Sequence, residues 1–286
     1  MNKITRRLLT FFIGVPLVLF IVCFTPLNHI LLHLCIVVFA GISSSEIYNL
    51  MKKNMPMQSK GLVVGFATLI PVSAYGCIFF NLDFDISTLV FIAGFLTLLV
   101  VEIFKPRSEN PEEPFKDSNN KLAGSLFVLL YGGYLLSYLS RMTVLPHSTE
   151  FIILFLLMVF LCDSAAWFFG VLFGKGNRGL VKASPNKSIV GFFGGIVGSI
   201  VSGILCTFVW PEIFSEPLWK MVVLGFVMAL AAILGDLAES VFKRSAKEKD
   251  SGNIIPGRGG ALDSVDSVLM SAPLFYFIVT MLFVEI

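Results

Sequence analysis

Long runs of apolar residues, separated by short polar stretches, dominate the pattern along this chain. A helix that crosses the hydrocarbon layer of a membrane needs about 20 apolar residues. Nine runs reach or approach that length, so the sequence predicts an all-α, polytopic membrane protein with about nine transmembrane helices. The predicted spans are Leu8–Phe24, Leu27–Ser45, Gly61–Phe80, Ile86–Phe104, Leu122–Leu145, Phe151–Phe173, Ile189–Trp210, Leu218–Phe242 and Leu262–Val284.

The composition supports the same class of protein. The 286 residues are 56% hydrophobic and only 14% charged, whereas a soluble domain has about 25% charged residues. An apolar fraction this high also excludes an intrinsically disordered chain. The net charge of +2 gives no indication of a nucleic-acid partner, so membrane lipid is the expected environment.

The basic residues indicate an orientation. If the nine spans alternate in direction, 19 of the 21 Lys and Arg residues fall on one side of the membrane, and only Arg141 and Lys220 fall on the other. Lys and Arg accumulate in cytoplasmic loops. The sequence therefore predicts a multi-pass protein of the cell (inner) membrane, with a cytoplasmic N-terminus and the C-terminus outside.

The spans and loops suggest three consecutive segments within one continuous membrane domain. The first, residues 1–121, contains helices 1–4 and a charged connector. The second, residues 122–188, contains helices 5–6 and a basic loop. The third, residues 189–286, contains helices 7–9 and a glycine-rich loop.

Few ionisable residues lie inside the spans, and such residues usually mark a functional site. Asp163 lies midway along the sixth span, Asp236 and Glu239 lie in the last turns of the eighth, and Asp263 and Asp266 begin the ninth. The last two are three residues apart and therefore share one helix face. Three of these carboxylates, on the last two spans, could converge on a cytosol-facing pocket suited to a hard cation such as Mg²⁺. The alternative is a structural ion pair with Lys243 or Arg244.

Two other acids receive a simpler interpretation. Glu46 and Glu102 lie near the predicted cytoplasmic ends of the second and fourth spans. A long charged side chain at such a position can extend into water. We therefore expect both to be boundary residues without a specific role.

Two predicted cytoplasmic loops have the composition of phosphate-binding segments. The loop at 243–260 carries five basic residues beside a glycine-rich turn, and the loop at 174–188 carries four. Glycines let a backbone approach a phosphate closely, and turn amides can bind anions. The alternative is contact with anionic lipid.

Glycines also follow the loop at 174–188, in the seventh span. The pairs Gly191/Gly195 and Gly194/Gly198 are spaced for close helix packing.

The last third of the chain contains an extended motif. It reads Ser240-x-x-Lys243-Arg244-x4-Lys249-Asp250 followed by Pro256-Gly257-x-Gly259-Gly260-x-x-Asp263-x-x-Asp266, with Gly235-Asp236 upstream. This motif resembles the signature of the phosphatidate cytidylyltransferase (CDP-diacylglycerol synthase) family, and the blocks that begin at Asp163 and at Ser184-Pro185-x-Lys187 fit the same pattern. The family has His at the position of Arg258 and Arg at the position of Ser264.

The resemblance implies transfer of CMP from CTP to phosphatidic acid, which gives CDP-diacylglycerol and pyrophosphate. It implies that Mg²⁺ is held by Asp236, Asp263 and Asp266, that a second cation can accompany it, and that the protein is a homodimer. The implied catalytic residues are these three acids with Lys243 and Arg244. The implied substrate-binding residues are Asp163, Ser184, Lys187, Ser240, Lys249, Asp250, Arg258, Gly259 and Gly260.

Two other functions remain open from the sequence. A secondary transporter could use the intramembrane acids as an ion site. A non-catalytic relative could bind phosphatidic acid without turnover, since the residues at positions 258 and 264 depart from the family pattern.

Overall fold

The computed structural model describes residues 3–104, 112–255 and 259–284, with side chains from residue 12 onward. These residues form helices without a β-strand. A π-helical turn at Leu129–Tyr134 separates α5 from α6. The ten α-helices are α1 (Lys3–Cys23), α2 (Pro26–Lys52), α3 (Lys60–Phe79), α4 (Ile86–Phe104), α5 (Ser118–Val128), α6 (Ser137–Met142), α7 (Ser148–Phe173), α8 (Ile189–Val209), α9 (Leu218–Ser245) and α10 (Leu262–Leu282).

The helices follow the predicted spans closely. Within the described residues, eight stretches are long and apolar enough to cross a membrane: α2, α3, α4, the stretch Ser118–Met142, and α7 to α10. In α1, the part with described side chains, Phe12–Cys23, is also apolar. An all-helical integral membrane protein is therefore confirmed, while the count of nine spans stays a prediction. The division into three consecutive segments also stays a prediction.

The fifth predicted span is not one continuous α-helix. The π-helical turn interrupts it where the sequence reads Leu-Leu-Tyr-Gly-Gly-Tyr. A Cβ atom at Gly132 would lie 2.9 Å from the Cα of Ser44, and one at Gly133 would lie 2.4 Å from the carbonyl oxygen of Ala67. Close packing against the backbones of α2 and α3 therefore occupies the space that a side chain would need.

The described chain divides into two compact units. The first unit is Met1–Arg141 together with Phe242–Ser264, and the second is Met142–Val241 together with Val265–Ile286. Helices α9 and α10 each contribute residues to both units. The first unit therefore joins the N-terminal helices to the glycine-rich loop, although these parts are far apart in the sequence.

Within the second unit, small residues hold α7 and α8 together. A Cβ atom at Gly195 would lie 3.1 Å from the carbonyl oxygen of Cys162, and one at Gly198 would lie 2.6 Å from the Cβ of Ala165. The packing role predicted for these glycine pairs is confirmed. Because the two backbones are so close, the start of α8 is fixed beside α7.

The glycine contacts in the π-helical turn yield a stability prediction. We expect Gly133→Ala to lower the free energy of unfolding by about 1–3 kcal/mol, the usual cost of overpacking. The measurement is thermal unfolding in detergent micelles. Gly65→Ala is the control, because a Cβ atom there would meet nothing within 4 Å. Equal melting temperatures for the two variants would contradict the packing argument.

Candidate active site

Three carboxylates meet in the second unit. Asp236 and Glu239 lie one turn apart on α9, and Asp266 lies on α10. One oxygen of each lies within 4.8 Å of the others. Glu239 and Asp266 are only 1% and 8% exposed. Buried carboxylates at this spacing supply the oxygen ligands that a divalent cation such as Mg²⁺ prefers.

The residue before Asp236 brings the two helices together. A Cβ atom at Gly235 would lie 2.5 Å from the carbonyl oxygen of Asp266 and 3.1 Å from the Cα of Ser267. Only a residue without a side chain allows this approach of α9 to α10. Gly235 therefore permits the short distance between α9 and α10, and Asp236 supplies negative charge beside it.

Lys187 reaches this acidic group and forms an ion pair with Asp236. A tight turn places it there, in which the Lys187 amide donates to the Ser184 carbonyl at 3.1 Å. The next residue, Ser188, caps α8 by accepting a hydrogen bond from the Gly191 amide at 3.0 Å. Lys187 thus lies beside the acids of α9, and the substrate-binding role of Ser184 and Lys187 stays a prediction.

Glu239 is the member of the group to which the sequence analysis assigned no role, although it lies one turn from Asp236. The signal was present, because a spacing of three places both acids on one helix face. Asp163 lies half-buried on α7 in the same unit and is not among the three grouped acids. Its role in substrate binding stays a prediction.

Asp263 has different surroundings, in the first unit. Its Oδ1 accepts a hydrogen bond from Lys243 at 2.6 Å, and both side chains are largely buried. Its Oδ2 accepts from the Ser251 amide at 2.9 Å and from the Gly260 amide at 2.7 Å. The Ser251 hydroxyl lies 2.9 Å from the same oxygen and divides its one proton between Asp263 Oδ2 and Glu46 Oε2. The ion pair left open by the sequence is therefore present for Asp263, whose place among the metal ligands stays a prediction.

The two glycines before α10 also contact this carboxylate. Gly259 has a φ of +112°, and a Cβ atom there would lie 2.6 Å from Asp263 Oδ2. Such a backbone conformation strongly favours glycine. In the structure the glycine-rich turn thus accommodates a carboxylate of the chain itself. Phosphate binding by Gly259 and Gly260 stays a prediction.

The remaining predicted residues have varied surroundings. Ser240 is buried on α9, while Lys249 and Asp250 are exposed in the loop after α9. Arg244 donates to the carbonyl of Glu248 at 3.0 Å. Arg258 lies outside the described residues. Binding of substrate by these residues stays a prediction.

The interpretation of Glu46 and Glu102 as boundary residues is wrong. Each is only 5% exposed. Glu46 accepts hydrogen bonds from the backbone amides of Ala261 and Leu262, and Glu102 lies 3.7 Å from Lys121. Both side chains point into the protein because donors are available there. The sequence does not show that a glutamate at the end of an apolar run is buried, because its hydrogen-bond partners are distant in the chain.

The helices and the buried acidic group define an integral membrane protein with a candidate metal-binding active site. The profile of the Cytidylyltransferase family matches residues 5–282. The chain belongs to this family, and the family resemblance of its sequence motifs is confirmed.

Individual relatives agree with this assignment. The chain is 35% identical to phosphatidate cytidylyltransferase from Synechocystis over 190 residues, which are 56% of this chain and 63% of the relative. It is 37% identical to the Staphylococcus haemolyticus protein of the same name, over 50% of this chain and 52% of the relative. For the Haemophilus influenzae protein, again of that name, the identity is 32% over 54% of each chain. The chain thus spans about half to two thirds of these relatives.

The ion pair of Lys187 leads to a prediction about the acidic group. We expect Lys187→Met to lower the melting temperature in micelles with EDTA by about 2–4 °C, because it leaves three crowded carboxylates without this positive charge. Lys182→Met, at an exposed lysine of the same loop, should have no effect. Lys187→Met/Asp236→Asn should recover most of the loss. An unchanged melting temperature in Lys187→Met would show that the lysine does not compensate the acids.

Proposed function

We propose that the chain transfers CMP from CTP to phosphatidic acid, with CDP-diacylglycerol and pyrophosphate as products. The observation that carries this proposal is the group of Asp236, Glu239 and Asp266, paired with Lys187, in a chain of the Cytidylyltransferase family. The names of the relatives support phosphatidic acid as the acceptor.

The proposed reaction is an in-line displacement at the α-phosphorus of CTP. A phosphate oxygen of phosphatidic acid forms the new bond to this phosphorus, and the bond to the β-phosphate oxygen breaks to release pyrophosphate. The second pKa of a phosphate monoester is about 6, so the attacking oxygen is largely ionised at neutral pH. The reaction therefore requires no protein side chain as an obligatory base.

The donor set fits a magnesium ion, because all three grouped side chains offer carboxylate oxygens. When bound, a divalent cation would neutralise negative charge on the phosphate groups. In this proposal Asp236, Glu239 and Asp266 hold the cation, and Asp263 is a further candidate from the family resemblance. A second cation stays a prediction.

The basic residues supply positive charge for the remaining phosphates. We assign the triphosphate and the lipid phosphate to Lys187, Lys243, Arg244, Lys249 and Arg258. Preorganised cationic groups stabilise the charge that develops in such a transition state. In this proposal Ser184 and Ser240 position the phosphate groups of the substrates.

The first test is release of pyrophosphate from CTP by purified protein in micelles that contain phosphatidic acid and Mg²⁺. We expect turnover that EDTA abolishes and that Asp266→Asn lowers by more than about 100-fold, because loss of even indirect metal-site contacts costs 10- to 100-fold. Glu212→Gln, at an exposed acid of the same unit, should retain activity. Turnover in Asp266→Asn at the wild-type rate would refute the proposed metal site, and folded wild-type protein without turnover would refute the proposed reaction.

We also propose nine spans in the inner membrane, with a cytoplasmic N-terminus, an external C-terminus and an active site open to the cytoplasm. The distribution of Lys and Arg supports this orientation. A cytoplasmic site is consistent with CTP as a substrate. The homodimer implied by the family resemblance stays a prediction.

The orientation can be tested by labelling cysteines with a membrane-impermeant maleimide. We expect Glu212→Cys, in the exposed loop before α9, to react in intact cells. Asn253→Cys, in the exposed loop before α10, should react only after permeabilisation. The unmodified chain gives the background from its five native cysteines. Labelling of Asn253→Cys but not Glu212→Cys in intact cells would reverse the proposed orientation.

A further inference from the structure

Glu46 occupies an unusual position for an acid of an N-terminal helix. Its Oε1 accepts a hydrogen bond from the Ala261 amide at 3.1 Å, and its Oε2 accepts from the Leu262 amide at 2.8 Å. The Ser251 hydroxyl, 2.8 Å from Oε2, shares its one proton between Glu46 and Asp263. The three donors are neutral, and two of them are backbone groups at the start of α10. Amides at a helix start lack partners within the helix and favour negative charge. Glu46 therefore holds this helix start directly.

Two glycines make room for the carboxylate. A Cβ atom at Gly252 would lie 2.3 Å from Glu46 Oε1, and one at Gly260 would lie 2.4 Å from Glu46 Oε2. Gly252 is not among the glycines with a positive φ, so its backbone conformation does not itself require glycine. The space taken by Glu46 provides the reason for a glycine at this position.

The same carboxylate joins the two ends of one segment. The segment, called 251–262 below, consists of the described residues 251–255 and 259–262, and Ser251 and Leu262 at its two ends both donate to Glu46 Oε2. Asp263 makes a second closure, because its Oδ2 accepts from Ser251 and Gly260. The segment 251–262 is thus closed by two carboxylates, one from α10 itself and one from α2.

The end of α2 makes further contacts with the residues just before this segment. Lys53 forms an ion pair with Glu248, and the Asn54 side-chain amide donates to the Ser245 hydroxyl at 2.6 Å. These two contacts are exposed and should contribute little stability. Glu46 is the buried member of the set, so it should contribute most to the position of the segment.

We propose that Glu46 is a positioning residue for the nucleotidyl transfer, acting through segment 251–262 and the start of α10. This inference rests on the proposed function. Asp263 follows Leu262 directly, and Asp266 lies one turn further along α10. A displaced helix start would move these acids, and displacements of about 1 Å from productive geometry can cost about 100-fold in rate.

The primary test is Glu46→Gln in the full chain. Glutamine has the same length but only one acceptor oxygen, and its NH₂ group would face at least one backbone N–H group. We expect kcat to fall by about 10- to 100-fold. The KM for phosphatidic acid should change by less than about 3-fold, because the contact contributes to geometry and not to ground-state binding.

A second readout follows the segment without any substrate. Hydrogen exchange of the backbone amides in 251–262, measured by mass spectrometry, should be about 10-fold faster in Glu46→Gln, because the substitution removes hydrogen bonds to a charged acceptor. Exchange that matches the wild type would overturn the inference. Wild-type protein without turnover would instead overturn the proposed function, so the two failures are distinguishable.

Glu102→Gln is the matched control. Glu102 is equally buried, at 5% exposure, and lies in the same unit, but it bonds to Gln58 and Ser118. Its substitution should lower the melting temperature without accelerating exchange in 251–262 or lowering kcat by more than about 3-fold. If both variants lose kcat equally at equal folded fraction, Glu46 has only a structural role.

A double-mutant cycle keeps the inference testable if one single variant folds poorly. Gly252→Ala should impair activity because its methyl group would collide with the Glu46 carboxylate. In Glu46→Ala/Gly252→Ala that collision is absent, so the combined loss in kcat should be smaller than the product of the two single losses. Losses that multiply would show that the two positions act independently and would overturn the inference.

Discussion

The cost of removing carboxylates from water is the constraint on which this structure depends. An ionised carboxylate buried without a partner costs several kcal/mol, so each buried acid requires donors from the protein. Asp236 is paired with Lys187, Asp263 with Lys243, and Glu102 with Lys121. Glu46 is satisfied by backbone amides and a hydroxyl. The lysines and glycines at the ends of the apolar helices thus stabilise the acids of the chain itself.

Hydropathy was sufficient to locate the helices, because contact with lipid selects apolar residues along almost the whole length of a span. Ile86–Phe104 was predicted with the bounds that the structure shows. The interruption in the fifth span was not predicted. It depends on how Gly132 and Gly133 pack against two other helices, and neither contact leaves a periodic signal in the sequence.

Part of the candidate site could be predicted from the sequence for the same reason. Asp236 and Asp266 were identified because a charge in an apolar run is conspicuous. Lys187 was identified through the family resemblance. The surroundings of Asp263 and the role of Glu46 could not be predicted, because they depend on hydrogen bonds between residues whose spacing in the sequence gives no sign of contact. Charge alone cannot distinguish a glutamate that extends into water from one that holds a helix start.

The contact between Glu46 and segment 251–262 also has a consequence for how the chain is made. Glu46 and Ser251 are 205 positions apart, and domains generally fold in the order of synthesis, from the N-terminus onward. When α2 enters the membrane, the donors that Glu46 needs have not yet been translated. Until they are, this carboxylate lacks the hydrogen-bond donors that it has in the folded protein. The first unit therefore cannot form all of its native contacts until segment 251–262 has left the ribosome.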